Sequence, residues 1–337
     1  MKTCFENATY LSQVRRLRSL AEQALKQFPI GKHELRFINH GENTTFKVLT
    51  RKKNYLFRIH CLSHRTKKAF LEELKWLDFL SRTTDIPVQR PIASNEGSFL
   101  VLVQNEKVGI PRYCDLLEWQ EGHIKTRKTP QTFFEVGKLI GQLQANTIKS
   151  KYRNYWDTKG LVGKEATLGG IPAMAKDFPK QIKKLEAQRK LLYKKISRYE
   201  KRNPDKLSLI HADLHFGNMI WNKGSVRPID FDDCGYGLEL YDLAVNLSSN
   251  YFLKTKKQES SLSKEALLNG YQEHKTLTEE DIKILPYLVA ARELAMTGWL
   301  YEKRDNPMLH EFLKKNLSKR IKRTERIIKE AEIGKYF

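Results

Sequence analysis

Residues 207–233 constrain this chain more than any other stretch, because they impose an order of elements that few folds accommodate. Leu207 to Ile210 is an apolar run of strand length. The polar loop His211-Ala212-Asp213-Leu214-His215-Phe216-Gly217-Asn218 follows it, and two strand-like runs, Met219 to Trp221 and Val226 to Ile229, end on Asp230-Phe231-Asp232-Asp233. Asp213 precedes Asn218 by five residues, and Asn218 precedes Asp230 by twelve. Singly, such Asp and Asn residues are ordinary in loops. Together, a loop carboxylate, a loop amide and a second carboxylate at the end of a hairpin match the needs of phosphoryl transfer. One carboxylate accepts or orients the attacking hydroxyl, while the amide and the other carboxylate are hard oxygen ligands that hold Mg²⁺ against nucleotide phosphates. Asp213 is then the catalytic base, Asn218 and Asp230 the metal ligands, and ATP and Mg²⁺ the cofactors.

The same offset between base and metal-binding Asn occurs in the H-R-D-x-x-x-x-N and D-F-G segments of kinases. His211 and His215 straddle Asp213 in the manner of metallohydrolase ligands, but no companion His or Cys cluster supplies the remaining ligands. His211 is therefore read as a brace beneath the loop. His215 either approaches the γ-phosphate or fills the loop, Asp232 either assists Mg²⁺ or caps the loop, and Asp242 anchors it.

Upstream, the pattern is a helix followed by strands. Asn7 to Phe28 carries Leu11, Val14, Leu17, Leu20, Ala21, Ala24 and Leu25 at helical spacing, and Pro29 and Gly31 stop it. Strands are expected at Glu34–Asn39, Thr44–Thr50 and Asn54–His60, as an antiparallel meander. A helix is expected at Thr66–Ser81, with further strands at Val88–Ala93, Ser98–Gln104 and Arg112–Trp119. Beyond Gly122 the pattern turns helical, at Pro130–Thr147 and Phe178–Arg202, then at Glu239–Leu253, Ser263–His274, Glu279–Tyr301 and Asn306–Glu332. The fold class is α+β, with a sheet-bearing N-terminal lobe and a mainly helical C-terminal one.

The 337 residues include 61 Lys and Arg against 39 Asp and Glu, a formal charge of +22. Such an excess concentrates anions without naming them, so nucleic acid or another polyanion is an open partner. Much of it falls in the expected helices 178–202 and 306–332. No apolar run reaches the roughly 18 residues of a membrane span, and the first residues show no apolar signal core, so the cytoplasm is the expected location. The four cysteines are far apart and imply neither a zinc site nor a disulfide framework.

Residues His211 to Asn218, Asp230-Phe231-Asp232 and Tyr241-Asp242-Leu243-Ala244 closely resemble the aminoglycoside phosphotransferase and choline kinase superfamily, especially its homoserine-kinase-type bacterial branch. Gly41-Glu42-Asn43-Thr44-Thr45-Phe46-Lys47-Val48 looks like that family's phosphate-covering hairpin, Tyr55-Leu56-Phe57-Arg58-Ile59-His60 like its third strand, and Glu73-Leu74-Lys75-Trp76-Leu77 like its Glu-bearing helix. The resemblance implies a bilobal protein-kinase-like fold, with an N-terminal lobe at 1–121 and a C-terminal lobe at 122–337. It also implies nucleotide contacts from Asn43 and Thr44, a phosphate-holding Arg58 paired with Glu73, and a hinge at Glu118, Trp119 and Gln120 whose backbone pairs with adenine. Arg58 stands where the family commonly has Lys; its planar, fixed charge suits phosphate but its reach differs. Asp232 replaces the Gly of D-F-G, and fewer than a dozen residues separate Asp233 from Asp242, which leaves no room for an activation loop.

The expected activity is a kinase that moves the γ-phosphoryl group of ATP to a hydroxyl of a small metabolite. The alternatives are a bacterial Ser/Thr protein kinase of the same fold, or a weakly catalytic nucleotide-binding module that docks on a polyanion. The net charge disfavours a cationic acceptor unless a local acidic pocket reverses the field.

Overall fold

The computed structural model describes residues 4–61, 66–148, 155–249 and 256–337. The chain divides into two compact units, Met1–Gly122 and His123–Phe337, each with its own sheet structure and core.

The first unit opens with helix α1 (Tyr10–Leu25), capped by the Thr9 side chain, and buries the predicted stripe Leu17, Leu20, Ala21, Ala24 and Leu25. Strands β1 (His33–His40), β2 (Thr44–Thr50), β3 (Asn54–Ile59), β4 (Val101–Val103) and β5 (Arg112–Glu118) form one antiparallel sheet in the order β1-β2-β3-β5-β4. Phe46, Val48, Phe57, Val103 and Leu116 alternate onto the sheet face that α1 covers. Helix α2 (Lys67–Thr83) starts at a Thr66 cap and buries Ala69, Phe70, Glu73, Leu74, Trp76, Leu77 and Leu80. Of the two strands expected between α2 and β5, the second shrinks to Val101–Val103, and the first contributes one isolated bridge, Pro91 to Leu117. Pro87 and Pro91 have no N–H to give a ladder, so that segment cannot extend as a strand.

In the second unit β6 (His123–Ile124) precedes helix α3 (Pro130–Ala145), and β7 (Tyr155–Trp156) precedes the short helix α4 (Thr158–Val162). Then come α5 (Ile182–Arg202), β8 (Leu207–Ile210), β9 (Met219–Asn222), β10 (Ser225–Pro228), β11 (Gly235–Leu238) and α6 (Leu240–Leu247). Helices α7 (Lys257–Gln272), α8 (Glu279–Glu302) and α9 (Pro307–Glu332) complete it. The expected helix Glu239–Leu253 is thus α6, and residues 250–253 lie outside the described residues. Strand β11 has no counterpart in the sequence pattern, because two of the four residues of Gly-Tyr-Gly-Leu are glycine, which is depleted in strands. It forms because Gly237 admits the neighbouring strand: a Cβ there would lie 2.4 Å from Trp156 Cβ.

Glycine also sets the approach of α3 and α7. A Cβ on Gly137 would stand 1.9 Å from the Leu267 carbonyl oxygen, and one on Gly270 would stand 2.0 Å from that of Phe134. Helix α8 carries the core: it is buried on nearly every side from Ile284 to Tyr301.

Much of the excess charge sits on α5 and α9. On α5, Lys183, Lys184, Lys190, Lys194, Lys195, Arg198, Lys201 and Arg202 are exposed, while Arg189 turns inward to Glu186 and the Val162 carbonyl. The outward face of α9 is one continuous row, Met308, Phe312, Lys315, Lys319, Lys322, Arg326 and Lys329, spaced alternately by four and three residues. None of the described helices is long and apolar enough to cross a membrane.

Candidate active site

Strand β8 ends at Ile210, and the loop that follows is held from below by α6. Asp242 accepts the His211 and Ala212 amides on its two carboxylate oxygens, at 3.1 and 2.7 Å, and the Asn246 amide donates to the Leu214 carbonyl at 2.7 Å. Gln144 of α3 donates to Asp242 and to the Glu239 carbonyl, and is itself fixed by the Tyr271 hydroxyl of α7 at 2.7 Å. Burial raises the Asp242 carboxyl to about 6, against the amide bonds that favour its charged form. Ala212 takes a left-handed conformation, φ 66°, which an alanine adopts only when its surroundings impose it. Here the Asp242 bond to its amide is the restraint.

That twist presents Asp213. Its Oδ2 accepts from Asn218 Nδ2 at 3.2 Å and lies 3.5 Å from His215 Nε2, and its Oδ1 is paired with the guanidinium of Arg292 from α8. Asn218 Nδ2 also bonds the Asp213 carbonyl at 3.0 Å. Both of these Asn218 bonds use the amide nitrogen, which leaves the hard oxygen Oδ1 as the atom suited to a metal. The Asn218 carbonyl takes the Ile229 amide at 3.0 Å, so the residue before Asp230 is bonded directly to the loop. Asp230 is exposed and also left-handed, φ 62°. An amide oxygen and an exposed carboxylate on adjoining backbone fit a small hard cation that completes its shell from phosphates and water.

His211 is buried. Its Nε2 donates to the Ile229 carbonyl at 3.1 Å, its ring packs on Phe231, and burial lowers it to about 4, against the pull of Asp213. It is thus a neutral brace between the two halves of the loop. His215 caps the 3₁₀ turn Phe216–Asn218: its Nδ1 accepts the Gly217 amide at 2.9 Å, which puts the ring proton on Nε2, facing Asp213. Burial lowers this ring as well, against Asp213.

In the first unit, Arg58 is buried at the centre of a charge network. It meets Glu73 at 2.6 Å, as expected, and also makes a two-pronged bond to Asp115, the residue directly opposite on β5, at 2.9 and 2.8 Å. His60 adds a third contact to Asp115 at 2.6 Å and stacks on Phe70. Burial raises the Asp115 carboxyl but Arg58 and His60 outweigh it and hold it at about 2. The network holds the guanidinium in one orientation, more tightly than the expected pair with Glu73 alone.

Two groups of expected nucleotide contacts have partners within this unit. Thr44 is 4% exposed and its hydroxyl is bonded to His40 Nδ1 at 2.7 Å, because its position in β2 turns it into the hairpin; the side chain is not presented to a phosphate. Asn43 remains at the hairpin turn, where its carbonyl accepts the Gly41 amide. At the expected hinge, the Glu118 amide is bonded to the Arg90 carbonyl at 2.8 Å and the Trp119 amide to the Asn54 carbonyl at 3.1 Å. Strand β5 runs through Glu118, the Trp119 amide just beyond it still pairs with Asn54, and both donors are consumed. The Glu118 side chain meets Lys53, Trp119 lies under the Lys47 ammonium, and the Gln120 side chain donates to the Val88 carbonyl at 2.7 Å.

An antiparallel five-stranded unit with a buried Arg–Glu pair, joined to a mainly helical unit with this loop, defines a protein-kinase-like phosphotransferase fold. The match to the phosphotransferase enzyme family covers residues 34–276, and the chain belongs to that family. Amicoumacin kinase of Bacillus subtilis (strain 168) is 25% identical over 303 residues, which is 85% of each chain. Among solved structures, a microcompartment-associated aminopropanol kinase aligns with a TM-score of 0.79 at 23% identity, over 93% of this chain and 98% of that one. An amicoumacin kinase in complex with AMP-PNP and Ca²⁺ aligns with a TM-score of 0.75 at 20% identity, over 94% and 96%.

Asp115, Gln144, Asn246 and Arg292 belong to no motif that the sequence presents, and His60 closes the third-strand segment without a role there. Asp115 and Arg292 leave a trace in the sequence, as charges inside the apolar runs Cys114–Leu117 and Ile284–Leu300. A charge inside such a run is buried and must be paired.

Proposed function

We propose that this chain is an ATP- and Mg²⁺-dependent kinase that transfers the γ-phosphoryl group to a hydroxyl of a small metabolite. The observation that carries the proposal is the Asp213 carboxylate, oriented by Asn218 and Arg292, in a loop bonded through Asn218 and Ile229 to the residue before Asp230. In the reaction the acceptor oxygen forms a bond to the γ-phosphorus, the bond from that phosphorus to the β–γ bridging oxygen breaks, and ADP departs with those electrons. Asp213 takes the hydroxyl proton. Asn218 and Asp230 would hold Mg²⁺, which neutralises phosphate charge when bound. Arg58, kept in register by Glu73 and Asp115, is assigned to the nucleotide phosphates, together with Asn43 at the hairpin turn. The carbonyls of Glu118 and Trp119 and the backbone of Gln120 are assigned to adenine.

The relatives support this reading. The amicoumacin and aminopropanol kinases are named for small molecules, and the former was solved with an ATP analogue and a divalent cation. A kinase of this kind needs ATP at hand, so the cytoplasm is its proposed location. Asp213→Ala is expected to lower phosphoryl transfer about 10²–10⁴-fold while nucleotide binding persists; full transfer by that variant would refute the assignment. Labelled ATP added to a lysate and resolved into metabolite and protein fractions separates this reading from a protein kinase, which would label protein.

The row of cations on α9 favours a second, additional reading: docking on a single-stranded polyanion along Lys315, Lys319, Lys322, Arg326 and Lys329. Most of the apolar face of α9 is spent on the core through Leu313, Leu317, Ile321 and Ile328, so a membrane surface would meet mainly charge, with Met308 and Phe312 as the exposed apolar residues of that row.

A further inference from the structure

The loop's backbone and the Asp213 side chain are held by different elements. Helix α6 holds the backbone, through Asp242 and Asn246. The carboxylate itself is held from the loop by Asn218 at 3.2 Å and His215 at 3.5 Å, which are long contacts, and from outside it by Arg292. Arg292 sits on α8, is 5% exposed, and has its second nitrogen 3.5 Å from the Tyr241 hydroxyl. The adjacent acid does not compete for it: Glu293 is engaged by Arg323 at 3.1 Å and Arg320 at 3.6 Å, both on α9. Arg292 is thus a fixed cation on a rigid helix, aimed at one oxygen of the base.

We infer that Arg292 is a positioning residue for phosphoryl transfer: it locks the Asp213 carboxylate in the rotamer that receives the acceptor hydroxyl. The inference rests on the role given to Asp213 above. Of the two oxygens, Oδ2 is approached by both Asn218 and His215, whereas Oδ1 meets Arg292 and keeps a second lone pair. The acceptor hydroxyl therefore docks on Oδ1, beside the guanidinium. The guanidinium spans two partners, one nitrogen on Asp213 Oδ1 and the other 3.5 Å from the Tyr241 hydroxyl, and a point charge cannot reproduce that fixed orientation. Losing it frees the Asp213 side chain to turn toward Asn218, and misplacement on the order of 1 Å at a reacting atom costs about 10²-fold in rate.

A structural role alone would make Arg292 only the neutraliser of a half-buried acid. The two are separated by a double-mutant cycle on the full chain. ATP hydrolysis with Mg²⁺ is the readout, with water as the acceptor because the natural acceptor is unidentified, and rates are normalised to the folded fraction measured by circular dichroism. Arg292→Ala is expected to lower kcat about 10²-fold with KM for ATP changed less than about twofold. Arg292→Lys, which keeps the charge and loses the fork, should fall between it and wild type, and serves if the alanine variant folds poorly. In an Asp213→Ala background, Arg292→Ala should have no further effect on kcat, since the group it positions is gone. Equal fold-losses in both backgrounds, or a loss that vanishes on normalisation, would overturn the inference. If Asp213→Ala itself hydrolyses ATP at the wild-type rate, it is the assignment of the base that fails.

Discussion

Replacing Gly137 with alanine should destabilise the second unit, against the usual sign of that substitution. In a solvent-facing helix, Gly to Ala stabilises by about 1 kcal/mol. Here the new methyl would lie 1.9 Å from the Leu267 carbonyl oxygen, where ordinary contact begins near 3.4 Å, so α3 and α7 must separate by about 1.5 Å. The Tyr271 hydroxyl and Gln144 are 2.7 Å apart across the same interface, and such a shift takes them beyond bonding distance, near 3.5 Å. Overpacking costs about 1–3 kcal/mol, and the unpaired half of a buried hydrogen bond about 1–3 more. Less the helix gain, the net loss is about 1–5 kcal/mol, or on the order of 2–20 °C in melting temperature for a unit of this size. Because Gln144 braces Asp242, and Asp242 holds the Asp213 loop, phosphoryl transfer should fall as well. Calorimetry of Gly137→Ala beside Gly31→Ala, where a Cβ meets open space, is the assay. A Gly137→Ala protein that melts at or above the wild-type temperature would refute the argument.

Asp115→Ala should cost about 3–5 kcal/mol at neutral pH by leaving the buried Arg58 guanidinium short of charge. Because the native Asp115 carboxyl is depressed to about 2, that contribution is complete above about pH 4 and fades as pH falls through 2, so urea titrations of wild type and variant should converge in acid. Asp242 acts with the opposite sign: raised to about 6 in the fold, it stays protonated where the unfolded chain has ionised, and wild-type stability drops between about pH 4 and 6 on its account. The stability difference between wild type and Asp242→Asn should therefore shrink by about 2–3 kcal/mol from pH 4.5 to 7, and a constant difference would count against the raised value. Reversing Lys315, Lys319, Lys322 and Lys329 to Glu should abolish salt-sensitive binding of single-stranded RNA while leaving ATP hydrolysis unchanged. With four phosphate-neutralising cations removed, the log–log salt slope should change by about 3, and RNA binding that survives the reversal would end the docking reading.

The sequence by itself determined most of the elements and the candidate site residues. Helical spacing in α1 and α2, alternation in β1–β3 and the Asp213–Asn218–Asp230 offsets are local properties of covalent order, readable because side-chain direction repeats with a known period along a helix or strand. Glu73 was legible only through the resemblance of Glu73-Leu74-Lys75-Trp76-Leu77 to a Glu-bearing helix, and the structure puts it on the buried seam of α2 with Phe70, Leu74 and Leu77. Only the tertiary structure decided what holds those groups in place. That Asp115 faces Arg58 depends on the register of β3 against β5, 57 residues apart, and that Arg292 reaches Asp213 depends on a helix 79 residues downstream. Likewise, the Glu118 and Trp119 amides were consumed by the Arg90 and Asn54 carbonyls, partners distant in sequence. Pairing across such separations is fixed by packing and by the cost of leaving a buried charge or amide unpaired, and no local pattern encodes which distant partner meets that need.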